Sequence, residues 1–556
     1  MRILPGLTLR NAGRETLAGV TLLAIAVPLN IGYAQIAGLP PTAGLYALVV
    51  PAIAYALIVS SRQLVASPDA AAAALVASSL GGLAVAGSAD YLTLAFAQAI
   101  ICGVIFVLCA VFRLGFLASF LSKPILVGFV GGLALDILVS QTAKMLGVTI
   151  DSGGEFVEKV VDLVTGLPTL NIWAVLISFA SIAVLVVGRR LARAVPWALI
   201  VLVLSTVLVV TTGLEAAGVA VLGPVDAGPP TLTWPVLEWS TWLQLVPSAI
   251  ALAMVTMAEG LLVARSYGEK RGYRTSPDRD LLAFGAANVA AGATGGFTVG
   301  SSTSRTAAMD QAGSRTQLPS IVTAVGTLAL VIFGTALLEH IPSPAIGAIV
   351  AVAIVPLLGI RDFVSLWRLQ RVEFAVGAVC FLGALLLGPI AGIVLAFVLA
   401  LINLAGRAAT PAVDILGADD APGSSLLPET APGAVTAPGV VVLRFAAPLF
   451  FANASVFEDA VRKAVTSAPP GQVRHLVIDL EAVTDVDVTG SEGLESARRW
   501  LGDHDVALHY SRLRPDLRRQ LAHYGLLDGV EVFGTNRAAI DALSAPGRAQ
   551  DAAAAD

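Results

Sequence analysis

A succession of apolar runs that carry almost no charge constrains this chain more than any other feature of its sequence. A helix needs about 20 predominantly apolar residues to cross a bilayer. Residues 17–38, 43–60, 91–111, 121–140, 171–188, 197–212, 243–264, 318–338 and 345–359 form such runs, and 374–404 is long enough for two spans around Gly388 and Pro389. Three further segments, 66–82, 281–293 and 301–311, are shorter or more polar. Together they predict about fourteen spans. Composition agrees: 13% of residues are charged and 56% hydrophobic, against about 25% charged in soluble chains, too few polar side chains to cover a surface facing water. The predicted fold class is an α-helical polytopic membrane protein.

The placement of charge predicts an orientation. Arg62, Arg113, Lys123, Arg189, Arg190, Arg193, Arg265, Lys270, Arg271, Arg274, Arg315, Arg361, Arg368, Arg371 and Arg407 fall in alternate connections, while the 213–244 loop has Glu215, Asp226 and Glu238 but no Lys or Arg. Cytoplasmic loops carry the excess of basic residues, so both termini are expected in the cytoplasm and the chain in the cell membrane, surrounded by lipid. Arg10 and Arg14 precede the first run without a small-residue cleavage site, which reads as a cytoplasmic lead rather than a signal peptide. With 34 basic and 39 acidic residues and a net charge of -5, there is no basic excess suited to nucleic acid. Cys102, Cys109 and Cys380 lie within apolar runs, and His475, His504, His509 and His523 lack ligand spacing. No metal, no cofactor and no catalytic residues are expected, and the lack of a P-loop argues against ATP hydrolysis.

On either side of the 213–244 loop the pattern has a similar rhythm. Each half has an interrupted segment in third position: SPDAAAAALVASSL from Ser67 and GSSTSRTAAMDQ from Gly300. Ordinary loops are the plainer reading. Paired interruptions at corresponding positions, set between continuous apolar runs, point instead to a transporter with a binding site near the membrane midplane. Residues 408–438 are rich in Pro, Ala, Gly and Asp and read as a linker. Beyond them, GVVVLRF, HLVIDL, VALHYSRL and VEVFG alternate with helical periods, which predicts a small α/β domain over 439–546, followed by a disordered tail at 547–556.

Several motifs resemble the sulfate permease family, also called solute carrier family 26. They are AVPLNIGYAQIAGLPPTAGLYA from Ala26, SSRQLVASPDA from Ser60, SSTSRTA from Ser301, RTQLPSI from Arg315, and in the last domain PLFFANA from Pro448 and DVDVTG from Asp485. The resemblance implies a seven-plus-seven inverted repeat, about 14–213 and about 243–407, within a transport domain spanning 1–407. It also implies a core domain moving against a gate domain, a homodimer, and a cytoplasmic STAS domain. The implied substrates are small anions: sulfate, bicarbonate, halides or dicarboxylates.

Half-helices that end at the midplane present amides and positive dipole ends to an anion. Ser67 and Pro68 would open one, and Ser301, Ser302, Thr303 and Arg305 the other, with Arg305 matching the family's arginine at the anion site. An ion pair with a nearby carboxylate is its alternative role. Pro28 is expected to break the first span, with Asn30 and Tyr33 on the unwound side offering hydrogen bonds to substrate; Leu29 stands where many members have Gln. Glu259 matches an acidic residue that the family links to proton or sodium coupling, and a carboxylate inside a span is by default functional. Its alternative is a salt bridge, for instance with Arg305. Asp69 departs from the uncharged residue of many members, and together with Glu259 it suggests symport of the anion with a proton. Asp136 reads as structural. Thr489 occupies the place of a phosphorylated residue in related bacterial domains, or is an N-cap.

The expected function is therefore secondary active, proton-coupled transport of a small anion (sulfate, bicarbonate or a dicarboxylate) by an elevator-type movement. The alternatives are a sodium-coupled bicarbonate symporter, an anion channel or exchanger, and a sensor or scaffold whose STAS domain binds a cytoplasmic protein.

Overall fold

The computed structural model describes residues 4–8, 10–116, 122–151, 154–192, 195–225, 227–417, 427–429 and 433–544. The expected tail, 547–556, and the middle of the expected linker lie outside these residues. The chain forms two compact units, 1–400 and 401–556.

The helices of the first unit are α1 Ala12–Ile36, α2 Pro41–Tyr46, α3 Val50–Ile58, α4 Ala70–Leu80, α5 Ala89–Val111, α6 Lys123–Leu146, α7 Phe156–Gly166, α8 Ile172–Leu191 and α9 Trp197–Thr212. They continue with α10 Trp239–Arg271, α11 Pro277–Ala293, α12 Thr303–Gln311, α13 Leu318–Phe333, α14 Ser343–Ile354, α15 Ile360–Leu369 and α16 Arg371–Leu386, and the boundary at residue 400 falls within α17 Gly388–Ala409. Among the described residues, seven helical segments are long and apolar enough to cross a membrane. Other expected spans are present as shorter apolar helices, including α4, α9 and α13. Exposed apolar side chains line the outer helices, such as Leu176 and Phe179 on α8 and Leu204 and Val207 on α9. That is the surface a hydrocarbon surround stabilises and water does not.

Packing sorts the helices into two groups. In one, α5 lies against α10 and α11, and α11 against α3; in the other, α6 lies against α14 and α16, and α14 against α8. Small residues permit the closest crossings. A Cβ on Gly103 of α5 would meet the Gly285 carbonyl of α11 at 2.8 Å, and one on Gly128 of α6 would run into the Gly377 carbonyl of α16.

Pro28 does not break the first span, contrary to the expectation from sequence: α1 runs through it without interruption. Proline removes one N–H from the helix ladder, and a membrane helix held on all sides tolerates that single loss. Residues 22 to 34 of α1 are largely buried.

The second unit contains β3 Val413–Gly417, β4 Leu427–Glu429, β5 Val440–Phe445, β6 His475–Asp479, β7 Ala507–Ser511 and β8 Glu531–Phe533, with α18 Ala454–Thr466, α19 Val488–Gly502, α20 Pro515–His523 and α21 Asn536–Leu543. The sheet order is β4-β3-β5-β6-β7-β8, and β5 to β8 run parallel. Strands β5 and β6 are buried over nearly their whole length, as strands covered by helices on both faces are. β3 and β4 fall inside the stretch that reads as linker, and β3 pairs antiparallel with β5.

His475 Nδ1 and His509 Nε2 face each other at 3.1 Å across β6 and β7, with Glu531 3.8 Å from His509 on the other side. Burial, then the neighbouring His475, holds His509 down to about 4 from 6.5. The unfolded chain therefore takes up a proton more readily, and stability falls as pH drops from about 6.5 to about 4. Between pH 7 and pH 5 the loss is expected to reach at most about 2 kcal/mol, read as lower protection factors of the β6 and β7 amides once the pH dependence of intrinsic amide exchange is divided out. His509→Gln should flatten this dependence; an unchanged slope in that variant would assign it to other groups.

Candidate anion site

The two interrupted segments meet. Strand β1, Ala66–Ser67, pairs antiparallel with β2, Gly300–Ser301, so that Ala66 faces Ser301 and Ser67 faces Gly300. Helices α4 and α12 begin directly after these strands. Each start is capped by its own sequence: Asp69 Oδ1 accepts from the Ala72 amide at 2.7 Å, and Ser302 Oγ from the Arg305 amide at 3.4 Å. Two helix N-termini, whose partial positive charge favours anions, thus start from one short ribbon of backbone.

Arg305 is fully buried there. Its Nε donates to Ser302 Oγ at 2.8 Å and its Nη2 to the Pro68 carbonyl, so it is braced by both segments. Its Nη1 is buried without a hydrogen-bond partner, as are Ser67 Oγ and Ser301 Oγ on the adjoining strands. A buried donor left unsatisfied costs about 1–3 kcal/mol, and three of them around one strand pair are what an acceptor-rich ligand would satisfy. The Arg305 guanidinium also stands 5.6 Å from the centre of the Tyr33 ring.

Helix α10 completes the site. Glu259 Oε1 accepts from Thr303 Oγ1 at 3.0 Å. A Cβ on Gly260 would lie 3.5 Å from the Ser301 side chain, and one on Gly300 would run into Asp69 Oδ2 and lie 3.4 Å from Thr256 Oγ1. Only glycine at position 300 leaves room for the Asp69 carboxylate beside β2. Among the described residues, neither Glu259 nor Asp69 forms an ion pair with Arg305 in this conformation.

Asn30 Nδ2 donates one of its two hydrogens to the Ala26 carbonyl at 2.7 Å within its own helix, and its carbonyl oxygen is buried without a partner. Asp136 is held by Lys159 Nζ at 2.9 Å. Thr489 is exposed at the second residue of α19, and the cap is Asp487, whose Oδ1 accepts from the Gly490 amide at 2.7 Å. Two partners in the site have no sequence signal of their own. Thr256 is an ordinary threonine in an apolar run, and the Pro68 carbonyl is backbone.

Residues 14–380 match the model of the sulfate permease family, and residues 431–539 that of the STAS domain. The chain belongs to the sulfate permease family. A probable sulfate transporter of Mycobacterium tuberculosis is 36% identical over 537 residues, covering 95% of both chains. Sulfate transporter 1.3 of Arabidopsis thaliana is 26% identical, covering 95% of this chain and 84% of its own. The fold is shared with the murine solute carrier 26 family member A9 anion transporter in its inward-facing state, with a TM-score of 0.88 at 22% identity over 98% of this chain and 93% of that one. The transmembrane domain of the cyanobacterial bicarbonate transporter BicA gives a TM-score of 0.61 at 21% identity, covering 72% of this chain and 99% of that one. Within the sulfate permease family these relatives are transporters, not enzymes. The segments SSRQLVASPDA and GSSTSRTA, both within the matched span, are the two that form β1, β2 and the starts of α4 and α12.

Proposed function

We propose that this chain is a secondary active transporter of a small oxyanion, sulfate first, that carries its substrate together with protons. The observation that carries the reading is the cluster of unsatisfied buried donors, Arg305 Nη1, Ser67 Oγ and Ser301 Oγ, where two half-helices begin. A tetrahedral oxyanion offers several acceptors at once, and a guanidinium is suited to such groups. The sulfate names of the relatives from M. tuberculosis and A. thaliana support the choice of anion.

Proton coupling rests on the acids. Glu259 and Asp69 bring negative charge beside an anion site, and among the described residues their hydrogen-bond partners are neutral, Thr303 Oγ1 and the Ala72 amide. Their protonation would remove repulsion toward the substrate, so that anion and proton enter together. The separation of the helices into two packed groups supports an elevator-type movement of one against the other. Lys270, Arg271 and Arg315 gather on Asp310 at the ends of α10 and α12, which supports a cytoplasmic location for that end, and with it cytoplasmic termini.

The test is uptake of radiolabelled sulfate, bicarbonate, chloride and succinate by the purified chain in proteoliposomes, with imposed proton or sodium gradients. Sulfate accumulation driven by an acidic exterior is expected. Flux of none of these anions would end the transport reading; accumulation that ignores pH but stops when choline replaces sodium would move the coupling to sodium.

A further inference from the structure

A cavity of about 220 Å³ lies between the far half of α4, the end of α1, helices α6 and α7 and the end of α16, away from the strand pair that holds Arg305. Ala77 and Ser78 of α4 are on its wall. Eight residues separate Asp69 from Ala77, roughly 12 Å along the helix. The cavity has room for several waters at about 30 Å³ each, and so for a small oxyanion with part of its hydration.

Its polar lining is unequally satisfied. Asp136 and Lys159 neutralise each other at 2.9 Å. Glu155 is exposed and engaged in the capping box that starts α7 with Glu158. Lys144 Nζ donates to the neutral Gln35 Oε1 at 3.1 Å, and Lys144 forms no ion pair among the described residues. One turn away, Gln141 is fully buried, and both its amide atoms lack a partner. A cation without a counter-ion beside a buried amide without a partner is a composition that an anion completes.

We propose that this cavity is a second anion station, in which Lys144 Nζ and Gln141 Nε2 hold a small oxyanion on its way to or from the Arg305 site. The inference rests on the transport reading above for its purpose, but its test measures occupancy alone. The end where α1 and α6 finish is the one that the distribution of basic residues assigns to the cell exterior, so the station would stand on the outer path.

Ser140, half-buried on the same wall, is the reporter. Ser140→Cys should react faster with an anionic methanethiosulfonate than with a cationic one, and millimolar sulfate should slow the labelling at least threefold. Native Cys102, Cys109 and Cys380 are buried, and the parent chain supplies the background. Adding Lys144→Gln should abolish both the charge preference and the protection, while Lys144→Arg should keep them. A reporter that never reacts, protection absent for sulfate, or protection that survives Lys144→Gln each overturns the proposal. Ser78→Cys on the α4 wall gives the same reading where Ser140→Cys fails to fold. A chain that transports nothing but still shows Lys144-dependent protection would sink the transport reading and leave the station standing.

Discussion

Arg305→Ala is expected to abolish saturable anion uptake and to weaken sulfate binding by a factor of about 30 or more. Removing a charged, hydrogen-bonded group from a desolvated site costs about 2–5 kcal/mol, and each 1.4 kcal/mol is tenfold in affinity. The guanidinium is the full positive charge in a pocket otherwise made of hydroxyls, amides and carboxylates. It also holds the Pro68 carbonyl and Ser302 Oγ, so its loss loosens the contact between the two half-helices as well. Arg305→Lys separates these effects. An ammonium keeps the charge but cannot reach Ser302, Pro68 and the substrate in the guanidinium's fixed fork, so binding should recover only in part. Equilibrium binding of labelled sulfate to the purified chain, with thermal unfolding as the control for folding, reads both. Affinity within twofold of the parent in Arg305→Ala would place the anion elsewhere.

The site was legible where chemistry and pattern coincide. Ser67 and Ser301 stand out because small polar residues interrupt apolar runs at matching places in both halves, and the structure pairs those very segments as β1 and β2. Arg305 and Glu259 stand out because charge inside a span is rare. What pattern could not decide was the state of individual hydrogen bonds. Pro28 has the chemistry of a helix breaker, yet whether one lost N–H ends a helix depends on the packing around it. Asn30 has two amide hydrogens, and which way they turn is set by the helix: one is directed to Ala26, one turn back. The linker stretch shows the same limit: Val413–Gly417 looks like part of a Pro- and Gly-rich connection until β5 offers it an edge to pair with. Lys144 and Gln141 were missed for a related reason. Each is unremarkable in sequence, and only the ion pair between Asp136 and Lys159 shows which cation on that cavity wall is left over.

Glu259→Gln should uncouple accumulation from the pH gradient while leaving sulfate exchange in place. The substitution is nearly isosteric, and the amide oxygen can still accept from Thr303 Oγ1, so the joint between α10 and the start of α12 is retained. What disappears is the ability to carry a proton. A pH difference of one unit supplies 1.36 kcal/mol per proton, so losing one coupled proton lowers the attainable accumulation ratio about tenfold per unit of gradient. Exchange of internal for external sulfate needs no net proton movement and should continue at a comparable rate. Two measurements on the same vesicles therefore decide the role: gradient-driven uptake and counterflow. If both fall together, Glu259 serves to hold α10 against α12; if neither changes, Asp69 becomes the first candidate for the proton carrier. Asp69→Asn then offers the corresponding experiment. Its side-chain oxygen can still cap Ala72, so a loss of accumulation in that variant reports the charge beside Gly300 rather than the start of α4.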